Sequence, residues 1–83
     1  MPPTTPAIEP YNFSGGSRMD FQIEFEQEDD GRWIAEIPSL PGVMAYGASR
    51  QEAQSKVQSL ALRVIADQLE RERATTDHVQ FAA

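Results

Sequence analysis

From Met19 onward the apolar positions recur every second residue: Met19, Phe21, Ile23 and Phe25 alternate with Asp20, Gln22, Glu24 and Glu26. Side chains alternate between the two faces of a strand, so this period predicts a half-buried strand with one apolar and one acidic face. Asp30-Gly31 follows, a pair that tolerates the positive φ angles of a tight hairpin turn. The return strand is expected from about Arg32 to Ile37, with Trp33, Ala35 and Ile37 on one face. Pro38 lacks an N–H and ends it. In the loop Pro38-Ser39-Leu40-Pro41-Gly42 two prolines fix φ, Gly42 permits a turn that a side chain would obstruct, and Leu40 is expected against the core. A short third strand, Val43 to Tyr46, ends at Gly47.

The period then changes. Ser49 is a good helix N-cap and Glu52, three residues on, completes a capping box. No glycine or proline interrupts the stretch from Arg50 to about Arg73. Ala53, Val57, Leu60, Ala61 and Val64 fall on one stripe at 100° per residue, the pattern of an amphipathic helix. Leu62, Ile65, Ala66 and Leu69 widen the apolar sector in its second half. A three-stranded sheet covers one side of a helix, so this extra surface needs another cover. The expectation is a homo-oligomer, dimer or tetramer, joined through Leu62, Ile65 and Leu69. The alternative is that the last strand folds back over them. That strand is signalled by the alternation in His78-Val79-Gln80-Phe81. The element order predicts an α+β domain over residues 19–83, a three-stranded antiparallel sheet packed on one long helix with a short C-terminal strand. Residues 1–18 hold four of the six prolines and the Gly15-Gly16 pair without apolar periodicity, and read as a flexible tail.

Composition narrows the function. A chain of 83 residues holds one domain. With no cysteine and a single histidine, disulfides, thiolate metal sites and paired-histidine zinc motifs are excluded. No apolar run is long enough to span a bilayer and no secretory signal pattern opens the chain, so a cytoplasmic protein without membrane contact is expected. Thirteen acids against seven bases give a formal charge of −6. Phosphate neutralisation supplies most nucleic-acid affinity, so direct binding to RNA or DNA is not expected. A basic protein partner suits the charge, because opposite fields speed encounter and select partners.

The candidate chemistry lies in Glu24, Glu26, Glu28, Asp29 and Asp30. Carboxylates can hold Mg²⁺ for phosphodiester hydrolysis, but two-metal sites gather acids from separate strands, and these five share one strand and its turn. They read as a partner-facing or solvated surface. His78 has no serine or cysteine nucleophile tied to it by sequence and reads as a surface histidine. Trp33 falls on the apolar hairpin face and reads as core, while the face taken by Tyr46 depends on the regularity of its strand. No cofactor is expected, and the residues compose no active site.

One longer pattern adds to this. Asp30-Gly31-Arg32-Trp33-Ile34-Ala35-Glu36-Ile37-Pro38-Ser39-Leu40-Pro41-Gly42, followed by Gly47-Ala48-Ser49-Arg50-Gln51-Glu52-Ala53, resembles the HicB-like antitoxin family. The shared features are Asp-Gly, an aromatic, Ala-x-apolar-Pro-x-Leu-Pro-Gly, then Gly-x-Thr/Ser-x-x-Glu-Ala, and the resemblance covers about Met19 to Leu69. It implies a β-β-β-α-β domain like a truncated ribonuclease-H fold without its catalytic carboxylates. It also implies a non-enzymatic role, neutralising a small basic HicA-type mRNA-cleaving toxin by protein–protein contact. Val43 and Ala48 stand where the family often has cysteine and aspartate. The ten residues after Arg73 are too few for the C-terminal DNA-binding module that many members add. Two other readings are a solitary self-associating domain with no toxin and a Mg²⁺-dependent ribonuclease-H-like nuclease.

Overall fold

A computed structural model describes residues 18–83; the segment 1–17, most of the expected tail, lies outside the described residues. The chain is α+β, with strands β1 (Arg18–Gln22), β2 (Glu24–Gln27), β3 (Trp33–Glu36) and β4 (Met44–Gly47), helix α1 (Arg50–Glu72) and strand β5 (His78–Ala82). The first strand begins one residue earlier than the period predicts, at Arg18. It also changes partner at Ile23: β2 pairs antiparallel with β3, whereas β1 pairs parallel with β5.

The change of partner has a local cause. The β2–β3 register sets Glu24 opposite Glu36. Continued by two residues it would set Gln22 opposite Pro38, which has no N–H to give the ladder. Residues 18–22 take their hydrogen bonds from β5 instead, and the Ile23 N–H donates to the Ala82 carbonyl at 2.8 Å. Met19 and Phe21 meet Val79 and Phe81 in this register, with the two phenylalanine rings stacked at 5.7 Å between centroids. The last strand therefore extends the sheet along β1 and leaves Leu62 of the helix uncovered, 48% exposed.

The hairpin between β2 and β3 differs from a two-residue Asp-Gly turn. Glu28 and Arg32 close the loop (Glu28 N to Arg32 O 2.7 Å), and the Gly31 N–H donates to Glu28 O at 2.9 Å. The loop is Asp29-Asp30-Gly31, and only Gly31, at φ 92°, is left-handed. That is a turn followed by a glycine bulge, the usual three-residue hairpin. The Pro38–Gly42 loop is two successive turns, Leu40 N to Ile37 O (2.9 Å) and Val43 N to Leu40 O (3.0 Å). Leu40 packs against the core as expected. Gly42 is required by its φ of 85°, since open space surrounds the place a Cβ would take.

Helix α1 starts as its sequence dictates. Ser49 Oγ accepts the Glu52 N–H at 3.1 Å, and Glu52 Oε1 reaches back to accept the Ala48 N–H at 2.8 Å. A cap of this kind is worth about 1 kcal/mol. At the other end Arg73 is left-handed (φ 51°), and both its N–H and that of Ala74 return to the Leu69 carbonyl. The buried stripe is Ala53, Val57, Ala61 and Ile65. This corrects two expectations: Val64 is exposed, and Ile65 is buried (3%) in the chain's own interior, so it is not available for self-association. A row of residues four apart runs obliquely to the helix axis, as suits a helix crossing a twisted sheet. The sequence period cannot choose between adjacent rows.

The core joins Ile23, Ala35, Ile37 and Val43 of the sheet side to Ala53, Val57 and Ala61 of the helix. The two helical alanines let α1 approach closely. Gly47 carries the same logic further: a Cβ there would lie 2.4 Å from Ala53 N and 2.9 Å from Glu52 C. Trp33 lies half-buried against this core, the place its hairpin face predicted.

Candidate functional site

Because α1 covers one face of the β2–β3–β4 sheet, the other face is uncovered among the described residues. Cross-strand register determines what it carries, since directly opposed residues share a face. Two rows point outward: Glu24–Glu36–Met44 and Glu26–Ile34–Tyr46. The intervening row, Phe25–Ala35–Ala45, points to the helix. Met44 and Tyr46 are 40% and 42% exposed, Ile34 is half-buried, and all three glutamates are exposed. The face is polarised, with acid along β2, apolar side chains along β4, and one of each on β3.

Its charges are uncompensated. Among the described residues, Glu24, Glu26 and Glu36 have no salt-bridge partner and no side-chain hydrogen bond. Glu24 and Glu36 stand directly opposite each other, an arrangement of like charges that weakens a sheet.

The five acids expected to act together are divided by the fold. Glu24 and Glu26 belong to the sheet face. Glu28 is half-buried beside the bulge, where the alternation is broken, and Asp29 is exposed at the hairpin tip. Asp30 is engaged internally: its carboxylate accepts the Arg32 N–H at 3.0 Å and Arg32 Nε at 2.9 Å. The Arg32 N–H, and after it the guanidinium, hold the Asp30 carboxyl below its usual value. The Arg32 guanidinium also lies over the Tyr46 ring, 4.9 Å from its centroid. The hairpin is thereby linked to the sheet face, with its one cation neutralised by Asp30. Four of the five acids, Glu26, Glu28, Asp29 and Asp30, line an open depression with Gln27, and Glu24 lies outside it. Even so, among the described residues no three His, Asp or Glu side chains converge in a way that could hold a metal ion.

Glu36, Met44, Tyr46 and Ile34 were not singled out by the sequence as members of this face. A signal was present: if Trp33, Ala35 and Ile37 point inward, Ile34 and Glu36 must point outward, and Val43 and Ala45 place Met44 and Tyr46 likewise.

The remaining candidates lie elsewhere. His78 sits on the outer side of the β1–β5 ribbon, with Nε2 3.0 Å from Gln80 Oε1 and 3.8 Å from Asp20 Oδ1. Leu62 is exposed on α1, and Leu69, four residues beyond Ile65 on the core row, is half-buried. No helix among the described residues is long and apolar enough to cross a membrane. Comparison with known protein families, with curated proteins and with solved structures gave no match for this chain.

Proposed function

We propose that this chain is a non-enzymatic, cytoplasmic binding domain of the HicB-like antitoxin type, which neutralises a small basic HicA-type mRNA-cleaving toxin through its acidic surface. The observation that carries the reading is the pair of carboxylates of Glu24 and Glu26, exposed on one sheet face and without a salt-bridge partner among the described residues, in a chain of net charge −6. Such a field steers a cationic partner to the surface and competes with phosphate for it. With β1 and β2 counted as one strand that changes partner at Ile23, the element order is in keeping with the resemblance, as are the hairpin, the double turn and the Gly47–Glu52 cap that its motif residues build. A cofactor and direct nucleic-acid contact have no part in it.

The test is a tagged capture from native cytoplasm at low salt, with mass spectrometry of what co-purifies. Recovery of a small basic protein released by added salt is expected. Recovery of the chain alone, as a defined oligomer, would overturn the reading. That outcome is the second reading, a self-associating domain without a toxin, and the exposure of Leu62 on α1 favours it.

A further inference from the structure

We infer that the outer face of β2, β3 and β4 is the docking surface, and that its occupant is a cationic, amphipathic protein segment. Apolar side chains of that segment lie on Ile34, Met44 and Tyr46, and its Lys or Arg side chains pair with Glu24, Glu26 and Glu36. This rests on the reading above and adds where the partner sits and what it presents.

Charge decides among the occupants. A second copy meeting this face through a two-fold axis would set its carboxylates either against those of the first copy or over Met44 and Tyr46, unpaired in both cases, since among the described residues the face has no free cation. Arg32 is already held by Asp30. Nucleic acid and anionic lipid are repelled by the same field. A basic segment removes the repulsion between Glu24 and Glu36 that the free chain carries, and covers Met44 and Tyr46 in the same step. Geometry agrees: along each strand the outward positions repeat about every 6.6 Å, the spacing of same-face side chains in an extended partner. Exposed aromatic and methionine side chains beside acids supply the apolar anchors and charged rim found at protein interfaces.

The experiment uses the full chain, ¹⁵N-labelled, titrated at low salt with a short Lys–Val peptide (repeat Lys-Ser-Val-Ser, which when extended sets Lys and Val alternately on one face), and with Lys–Ser (Lys-Ser-Ser-Ser) and Glu–Val (Glu-Ser-Val-Ser) peptides of equal length. The Lys–Val peptide is expected to shift the amides of Glu24, Glu26, Ile34, Glu36, Met44 and Tyr46. Affinity should fall about tenfold in Glu26→Gln/Glu36→Gln and in Met44→Ser/Tyr46→Ser, and stay unchanged in Leu62→Ser. These positions are exposed, so far-UV circular dichroism should match the parent chain and melting should stay within about 3 °C of it. The inference is overturned by shifts centred on α1 or on the β1–β5 ribbon, by unchanged affinity in both double variants, or by equal binding of the Lys–Ser peptide. A basic protein captured from cytoplasm whose footprint lies on α1 would also overturn it, yet would leave the proposed function standing. Failure to capture any basic protein removes that function, while the peptide footprint still decides the surface.

Discussion

Replacing Gly47 by alanine should be the most damaging single-methyl change in the chain. The added Cβ would stand 2.4 Å from Ala53 N, where ordinary contact begins near 3.4 Å, so β4 and the first turn of α1 must part by about 1 Å. The three nearest atoms are all backbone, so no side-chain rotamer relieves the clash. The displaced turn carries Ala53, fully buried, and both hydrogen bonds of the cap. Overpacking costs about 1–3 kcal/mol, and this geometry belongs at the upper end. A domain of this size holds about 3–10 kcal/mol in all, so the midpoint of melting should fall by roughly 10–20 °C. Trp33, the sole tryptophan, lies directly opposite Gly47 and reports the transition in urea, alongside circular dichroism for the helix. Gly42→Ala is the control, with open space at the Cβ but a positive φ, and should cost about 1–2 kcal/mol. A Gly47→Ala cost below about 1 kcal/mol, or smaller than that of Gly42→Ala, would refute the close-approach argument.

Three further outcomes are expected. Arg73→Gly removes a left-handed non-glycine residue at the end of α1 and should stabilise by about 0.5–1 kcal/mol in urea titration; no gain would mean that the cap is not left-handed in solution. Glu36→Gln abolishes the like-charge pair with Glu24 and should raise the melting midpoint by about 1–3 °C at low salt, an increment that disappears near 1 M salt. In the folded chain the Ala48 N–H, and after it Lys56, hold the Glu52 carboxyl below its usual value. The unfolded chain then binds the proton more tightly, so the stabilisation is full above about pH 4.5 and is lost as pH falls through the lower folded value. The stability gap between the parent chain and Glu52→Gln should therefore narrow on acidification, and a gap independent of pH would contradict this assignment.

The local parts of this fold were legible in the sequence because their causes are local. Period-two alternation from Met19 to Phe25 places the strand faces, and Ser49 with Glu52 places the helix start. What escaped depends on partners far along the chain. The alternation at His78–Phe81 signals a strand, but nothing within it says that it runs parallel to β1. That is set by the path of the chain through α1, which brings β5 in alongside β1. A 100° projection finds the apolar sector of α1 but not the angle at which the helix crosses the sheet, hence the exchange of Val64 for Ile65 in the core. The candidate site was half legible. Glu24 and Glu26 are visible by their charge, whereas for Glu36, Met44 and Tyr46 alternation gives the face and the register alone sets them beside those two. Asp30 was grouped with them although its carboxylate closes on Arg32 two residues away.

The most direct test of the account is the association rate of the captured basic partner with the parent chain and with Glu24→Lys/Glu26→Lys, measured at low and high salt. If the sheet face steers binding, the double reversal slows association by at least about tenfold at low salt, the two rates converge as salt screens the field, and the melting midpoint does not fall. Equal rates in both chains, independent of salt, would contradict the claim that this acidic face is where the partner arrives.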